Sequence, residues 1–177
     1  MKDKCTKLWN ILERIVRAVF GFAFRIFKID LTEEQWDSLM QFVRFGLVGV
    51  WNTIFSYAIN VSCLLIFQRL GILSTADLDM YVANIIAFVI SVFVSFMLNS
   101  RFVFTLEEGQ NRSFWKSLLK SYLSYGFTGI ILNNILAYVW VVMLGIPKLV
   151  APLISLVIAI PINFLMNKLW AFKTEND

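Results

Sequence analysis

The sequence contains no histidine, only two cysteines and three prolines, and its few charges are clustered. Without histidine or a cysteine cluster, zinc and iron have no ligands of the usual kind, so no metal is expected. Cys5 falls in a basic N-terminal segment and Cys63 inside an apolar run, a placement that gives no disulfide. No nucleophile–base pair and no phosphate loop can be read, so the chain is expected not to be an enzyme and to use no cofactor. Charge is absent from 45–68, 80–100, 121–147 and 149–167. Each stretch is long enough to cross a hydrocarbon core of about 30 Å as a helix.

What is present is apolar: 59% of 177 residues, with aromatics equal to the charged share at 16%. Such a chain is built for lipid as solvent. Strict period-two alternation is missing, and unpaired backbone groups cannot face lipid, so the spans are predicted as helices rather than barrel strands. The expected fold class is all-α integral membrane, with spans at roughly 44–67, 81–99, 121–143 and 149–167.

The net charge of +4 reports topology rather than nucleic-acid binding. Of 16 basic residues, Lys2, Lys4, Lys7, Arg14, Arg17, Arg25, Lys28 and Arg44 precede the first span. Arg101, Arg112, Lys116 and Lys120 lie between spans two and three, and Lys168 and Lys173 follow span four. Only Arg69 and Lys148 remain for the other side. The positive-inside rule therefore places both termini and the middle loop in the cytoplasm.

Residues 1–30 are predicted as an amphipathic interfacial helix, and 31–177 as the four-span domain. Lys7, Asn10, Arg14, Arg17, Gly21, Arg25 and Lys28 recur at steps of three and four, opposite Trp9, Leu12, Ile15, Val16, Val19, Phe20, Ala23, Ile26 and Phe27. Charges interrupt this stretch throughout and no small-residue cleavage site follows it, so it does not read as a signal peptide. Thr32 and Gln35 have capping-box spacing, with Leu31 placed to staple onto Trp36. The run from Glu107 through Glu108 and Gly109 to Arg112 reads as a turn, as does Gly145 with Pro147. In the outer loop before span two lie Asp77 and Asp79, and Pro161 is expected to kink span four.

One two-helix unit is written twice. Phe96, Asn99 and Phe104 fall on Phe164, Asn167 and Phe172 at an offset of 68, and Phe45-Gly46-x-x-Gly49 falls on Tyr125-Gly126-x-x-Gly129 at an offset of 80. The copies, about 41–104 and 121–172, each cross twice and so face the same way, as parallel repeats about an axis along the membrane normal do. Their meeting place is the expected pocket.

Polar stripes run along the spans: Gly49, Asn52, Thr53, Ser56 and Asn60; Asn84, Ser91, Ser95 and Asn99; Gly126, Gly129, Asn133 and Asn134; Ser155, Ala159, Asn163 and Asn167. Small residues there allow close helix approach, and Asn, Ser and Thr can act as packing glue. Asn52, Asn84, Ser95, Asn133, Asn134 and Asn163 are the candidates for lining a polar groove. Arg44, Arg101 and Lys168, beside Asn99 and Asn167, are the candidates for a lipid phosphate, with Arg101 able to bind it bidentately. No Asp, Glu, His, Lys or Arg lies within the spans, which disfavours a proton-coupled antiporter.

The motifs Phe45-Gly46-x-x-Gly49 with Asn52-Thr53, Asn99-x-Arg101-Phe102-x-Phe104 and Asn167-Lys168-x-Trp170-x-Phe172 resemble those of the GtrA-like family of small four-span bacterial membrane proteins. The resemblance covers about residues 40–173. It implies a bacterial cytoplasmic membrane and a polyprenyl-phosphate sugar, undecaprenyl phosphate being the usual carrier. The lipid would be flipped for polysaccharide biosynthesis or teichoic acid glycosylation in the cell envelope. The alternative is an accessory subunit that recruits or stabilises a polyprenyl-phosphate glycosyltransferase. The chain departs from the family pattern in its long N-terminal helix and in Lys168-Leu169, where the first copy has Ser100-Arg101. Four helices make a thin wall for a carrier, which suggests a homodimer.

Overall fold

In the computed structural model, residues 2–26, 28, 30–73, 78–106 and 110–174 are described, with 2–10, 12, 23 and 25 described by backbone alone. Among them are five helices: α1 Lys2–Ile26, α2 Glu33–Leu70, α3 Leu78–Phe102, α4 Phe114–Met143 and α5 Ala151–Ala171. Helices α2 to α5 are each long and apolar enough to cross a membrane, at the four expected places. Residues 33–43 and 114–120 run on as the first turns of the spanning helices α2 and α4.

The chain divides into two compact units, 1–43 and 44–177. In the first, the capping box forms as expected: the Thr32 amide donates to Gln35 Oε1 at 2.9 Å and the Gln35 amide to Thr32 Oγ1 at 3.4 Å. Trp36, expected to meet Leu31, sets its ring edge-on to Phe24 at 6.0 Å, with the Arg17 guanidinium over it at 5.2 Å. Arg17 also bridges Glu13 at 3.1 Å and Glu33 at 2.9 Å. Hydrogen bonds from both carboxylates raise its already high pKa. Ile11, Ile15, Val19, Phe22 and Ile26 leave an exposed apolar stripe on α1. Phe27 and the side chains of Lys7, Trp9, Asn10, Leu12, Ala23 and Arg25 lie outside the described residues, as do Asp77, Glu107, Glu108 and Gly109.

The second unit exposes large apolar side chains and buries small polar ones among apolar residues. Leu149, Leu153 and Val157 are exposed, whereas Ser91, Ser95, Asn99, Ser121, Ser124 and Asn167 are buried. Ser117, Ser121, Ser124 and Thr128 step by four, three and four along α4, making a buried small-residue seam. That half of α4 packs on α3 and on the last turns of α5.

The duplication is visible in the rings. Phe96 stacks on Phe172 at 5.4 Å and Phe164 on Phe104 at 6.0 Å, two pairs that exchange under the 68-residue shift. Phe104 on Phe172, at 4.5 Å, maps onto itself. A contact set that survives exchange of its members is the mark of an approximate two-fold axis. Both closing stretches also end in the same backbone bond, Phe104 to the Asn99 carbonyl and Phe172 to the Asn167 carbonyl, each 2.8 Å.

Three backbone details stand out. Phe127–Leu132, Tyr138–Met143 and Asn167–Ala171 are wider i→i+5 turns. Gly71 and Gly145 adopt φ of 63° and 68° to end α2 and turn after α4. Helix α5 continues through Pro161.

Candidate functional site

The polar stripes line connected space. One groove of about 470 Å³ lies between α2 and α3, walled by Asn52, Thr53, Ser56, Asn60, Asn84 and Ser91, with Tyr125 of α4. A cavity of about 500 Å³ lies between α2, α4 and α5, lined by Phe45, Gly46, Gly49, Asn52, Thr53, Tyr125, Gly129, Asn133 and Asn163 among others. The two share Asn52, Thr53 and Tyr125.

The glycines explain the space, and here the expectation of close helix approach is corrected. A methyl group built at Gly46, Gly49, Gly126 or Gly129 meets nothing within 4 Å. These residues leave volume open rather than bringing backbones together.

The amides fall into two groups. Some cross between helices: Asn60 Nδ2 donates to Asn84 Oδ1 at 2.8 Å, and Asn99 Nδ2 to the Tyr125 hydroxyl at 3.1 Å. Ser95 Oγ meets the same hydroxyl at 3.0 Å. Others bond only their own helix. Asn133 Nδ2 reaches the Gly129 carbonyl at 3.5 Å and Asn134 Nδ2 the Ile130 carbonyl at 2.6 Å, while Thr53 Oγ1 bonds the Gly49 carbonyl at 3.0 Å. This second group is not glue between helices. It lines cavities with one donor of each side chain bonded to its own helix and with amide oxygens left to accept. Asn52 Oδ1 is buried with no hydrogen-bond partner among the described residues.

The residues expected at the phosphate do not form one cluster. Asn99 and Asn167 are fully buried; Asn167 Nδ2 bonds the Asn163 carbonyl at 2.9 Å and its Oδ1 at 3.0 Å. Both are shielded from headgroups by the bundle and hold helix ends together. Arg101 is exposed, its guanidinium 5.7 Å from the Phe102 ring. Lys168 Nζ lies 5.7 Å from the Phe164 ring, which meets Phe45 at 5.5 Å. Arg44, half-buried, directly precedes Phe45, which lines the α2–α4–α5 cavity; neither Arg44 nor Lys168 is among the residues lining it.

Two residues were missed from the sequence. Arg112, read only as part of a polar turn, donates Nη1 to the Phe104 carbonyl at 3.0 Å and the Phe172 carbonyl at 3.4 Å, and Nη2 to Ser100 Oγ at 2.8 Å. Its guanidinium also lies 4.7 Å from the Phe172 ring. One side chain thus clamps both closing stretches. Desolvation pulls its pKa below the ordinary arginine value. Tyr125 is the other, and the signal for it was available: it stands where the first repeat has Phe45, adding one hydroxyl to an otherwise matched position.

Four apolar helices around a polar, charge-free interior define a multi-pass α-helical membrane protein. Residues 44–172 match the GtrA/DPMS transmembrane domain, and the chain belongs to that family. The match starts at Arg44, leaving α1 and the first turns of α2 outside it. No curated protein matches the chain.

Proposed function

We propose that the protein translocates a polyprenyl-phosphate-linked sugar across the bacterial cytoplasmic membrane, with Arg44 and Lys168 receiving the phosphate at the cytoplasmic face. The observation that carries this reading is the polar seam. In a bundle whose spans hold no charge, Asn52, Thr53, Asn133 and Asn163 border one open cavity whose wall includes Phe45, the residue after Arg44 and the ring that meets Phe164. Hydroxyls of a sugar find acceptors there, while the exposed leucines and valines leave the prenyl chain in lipid. Arg101, on the surface nearby in sequence to Asn99, attracts the anionic headgroup before capture. The intact chain in liposomes is expected to move a polyprenyl-phosphate hexose between leaflets. Arg44→Gln with Lys168→Gln should slow this about tenfold, as loss of a charge-assisted contact does. Unchanged rates in that variant, with normal insertion, would remove the phosphate assignment.

A second reading has its own observation. The exposed stripe of Ile11, Ile15, Val19, Phe22 and Ile26 on α1 is suited to a membrane surface or to a polyprenyl-phosphate glycosyltransferase partner. Deleting residues 1–29 separates the two: lost glycosylation with intact flipping in vitro favours the partner role, and retained glycosylation counts against it.

A further inference from the structure

A cavity of about 690 Å³ lies at the end of the bundle opposite Arg44 and Lys168, between α4 and the start of α5. Asn133, Asn134 and Tyr138 wall it from α4; Lys148, Pro152 and Ser155 wall it from the other side. Its size is that of a small-ligand site. Lys148 is a cation set on a cavity, and among the described residues no carboxylate pairs with it. Asn133 and Asn134 each give one N–H to a carbonyl of their own helix, which leaves a second N–H and the amide oxygen of each to pair with phosphate and hydroxyl groups. Val141, Val142 and Leu156 supply an apolar wall.

This cavity is continuous in lining with the one that opens at Phe45, because both include Asn133 and Leu156. Lys148 is the one charged residue among the described residues that line either cavity. A phosphate that leaves Arg44 and Lys168 loses its pairing in the charge-free stretch and regains it only at the far end. A cation there lowers the cost of arrival without deepening the first site, which is the condition for two-way exchange.

We propose that Lys148, with Asn133 and Asn134, forms a second site for the phosphate and hydroxyls of a glycosyl-phosphate lipid, at the exit side. This rests on the translocation reading, but its test does not. Citronellyl phosphate, a short prenyl phosphate, is titrated calorimetrically into the full chain in micelles, with inorganic phosphate as competitor. The wild type is expected to bind two equivalents and Lys148→Gln one, its second site weakened at least about tenfold. Lys148→Arg should keep both. The glutamine variant removes the charge and the arginine variant keeps it, and gel filtration confirms that each is folded. Equal binding by Lys148→Gln and wild type overturns the site, as does a wild type that binds no probe. Displacement by inorganic phosphate at the same concentration as the probe overturns the lipid assignment and makes it a free-anion site. If binding depends on Lys148 but no lipid crosses in liposomes, the transport reading fails and the lipid site stands.

Discussion

Replacing Arg112 by alanine should loosen the whole bundle although the residue lies between helices. Its bonds at 2.8 and 3.0 Å are charge-assisted, worth about 1.5–3 kcal/mol each before exposure is considered. The contact with the Phe172 ring adds about 0.5–1 kcal/mol. Because the side chain is only half-buried, water at the membrane edge rebinds part of what is lost, and a net cost of about 3 kcal/mol is reasonable. At about 2–4 °C per kcal/mol for a chain of this size, the melting temperature should fall by about 6–12 °C. Cys63, half-buried in α2, permits the assay: a thiol-reactive fluorogenic dye reports unfolding in mild detergent, in a Cys5→Ser background at one fixed ramp rate. Arg112→Lys keeps the charge but not the fork and should recover less than half of the loss. A melt of Arg112→Ala within about 2 °C of wild type would refute the clamp.

The same melt tests the two-fold core. Phe104→Ala and Phe172→Ala should be non-additive by about 0.5–1.5 kcal/mol, and strict additivity would contradict their stacking across the axis. Tyr125→Phe, which takes the hydroxyl from Ser95 and Asn99, should cost about 1–2 kcal/mol; an unchanged melt would mean that the buried cluster contributes nothing. Gly49→Ala meets open space on a helix, so it should stabilise by up to about 1 kcal/mol while narrowing the cavity and slowing flipping. A stabilised variant that flips at the wild-type rate would place the route elsewhere.

Spans, duplication and capping box were legible because each rests on a local rule: runs without charge, fixed offsets, and Thr32 three residues before Gln35. The depth of Asn99 and Asn167 was not. Their sequence neighbours Arg101 and Lys168 place them at headgroup level, but a helix turns about 100° per residue, so an Asn can face the core while the next residues face out. Arg112 was hidden for the opposite reason. Its partners are carbonyls 8 and 60 residues away, and backbone acceptors leave no trace in sequence. The role of Gly-x-x-Gly was misread because the same spacing serves close approach and open space alike, and only the neighbouring helix decides between them. The wide turns in α4, which flank Asn133 and Asn134, follow from packing and carry no residue signature that was recognised.

The central claim is that the polar seam carries a glycosyl-phosphate lipid from one leaflet to the other. Unilamellar liposomes holding the full chain and a polyprenyl-phosphate hexose, probed by an impermeant sugar oxidant, test it directly. The expected result is complete oxidation with the wild type and slowed completion when Asn52, which borders both inner cavities, is changed to Leu. Oxidation that stops at the lipid of the outer leaflet, as in liposomes without protein, would contradict the account.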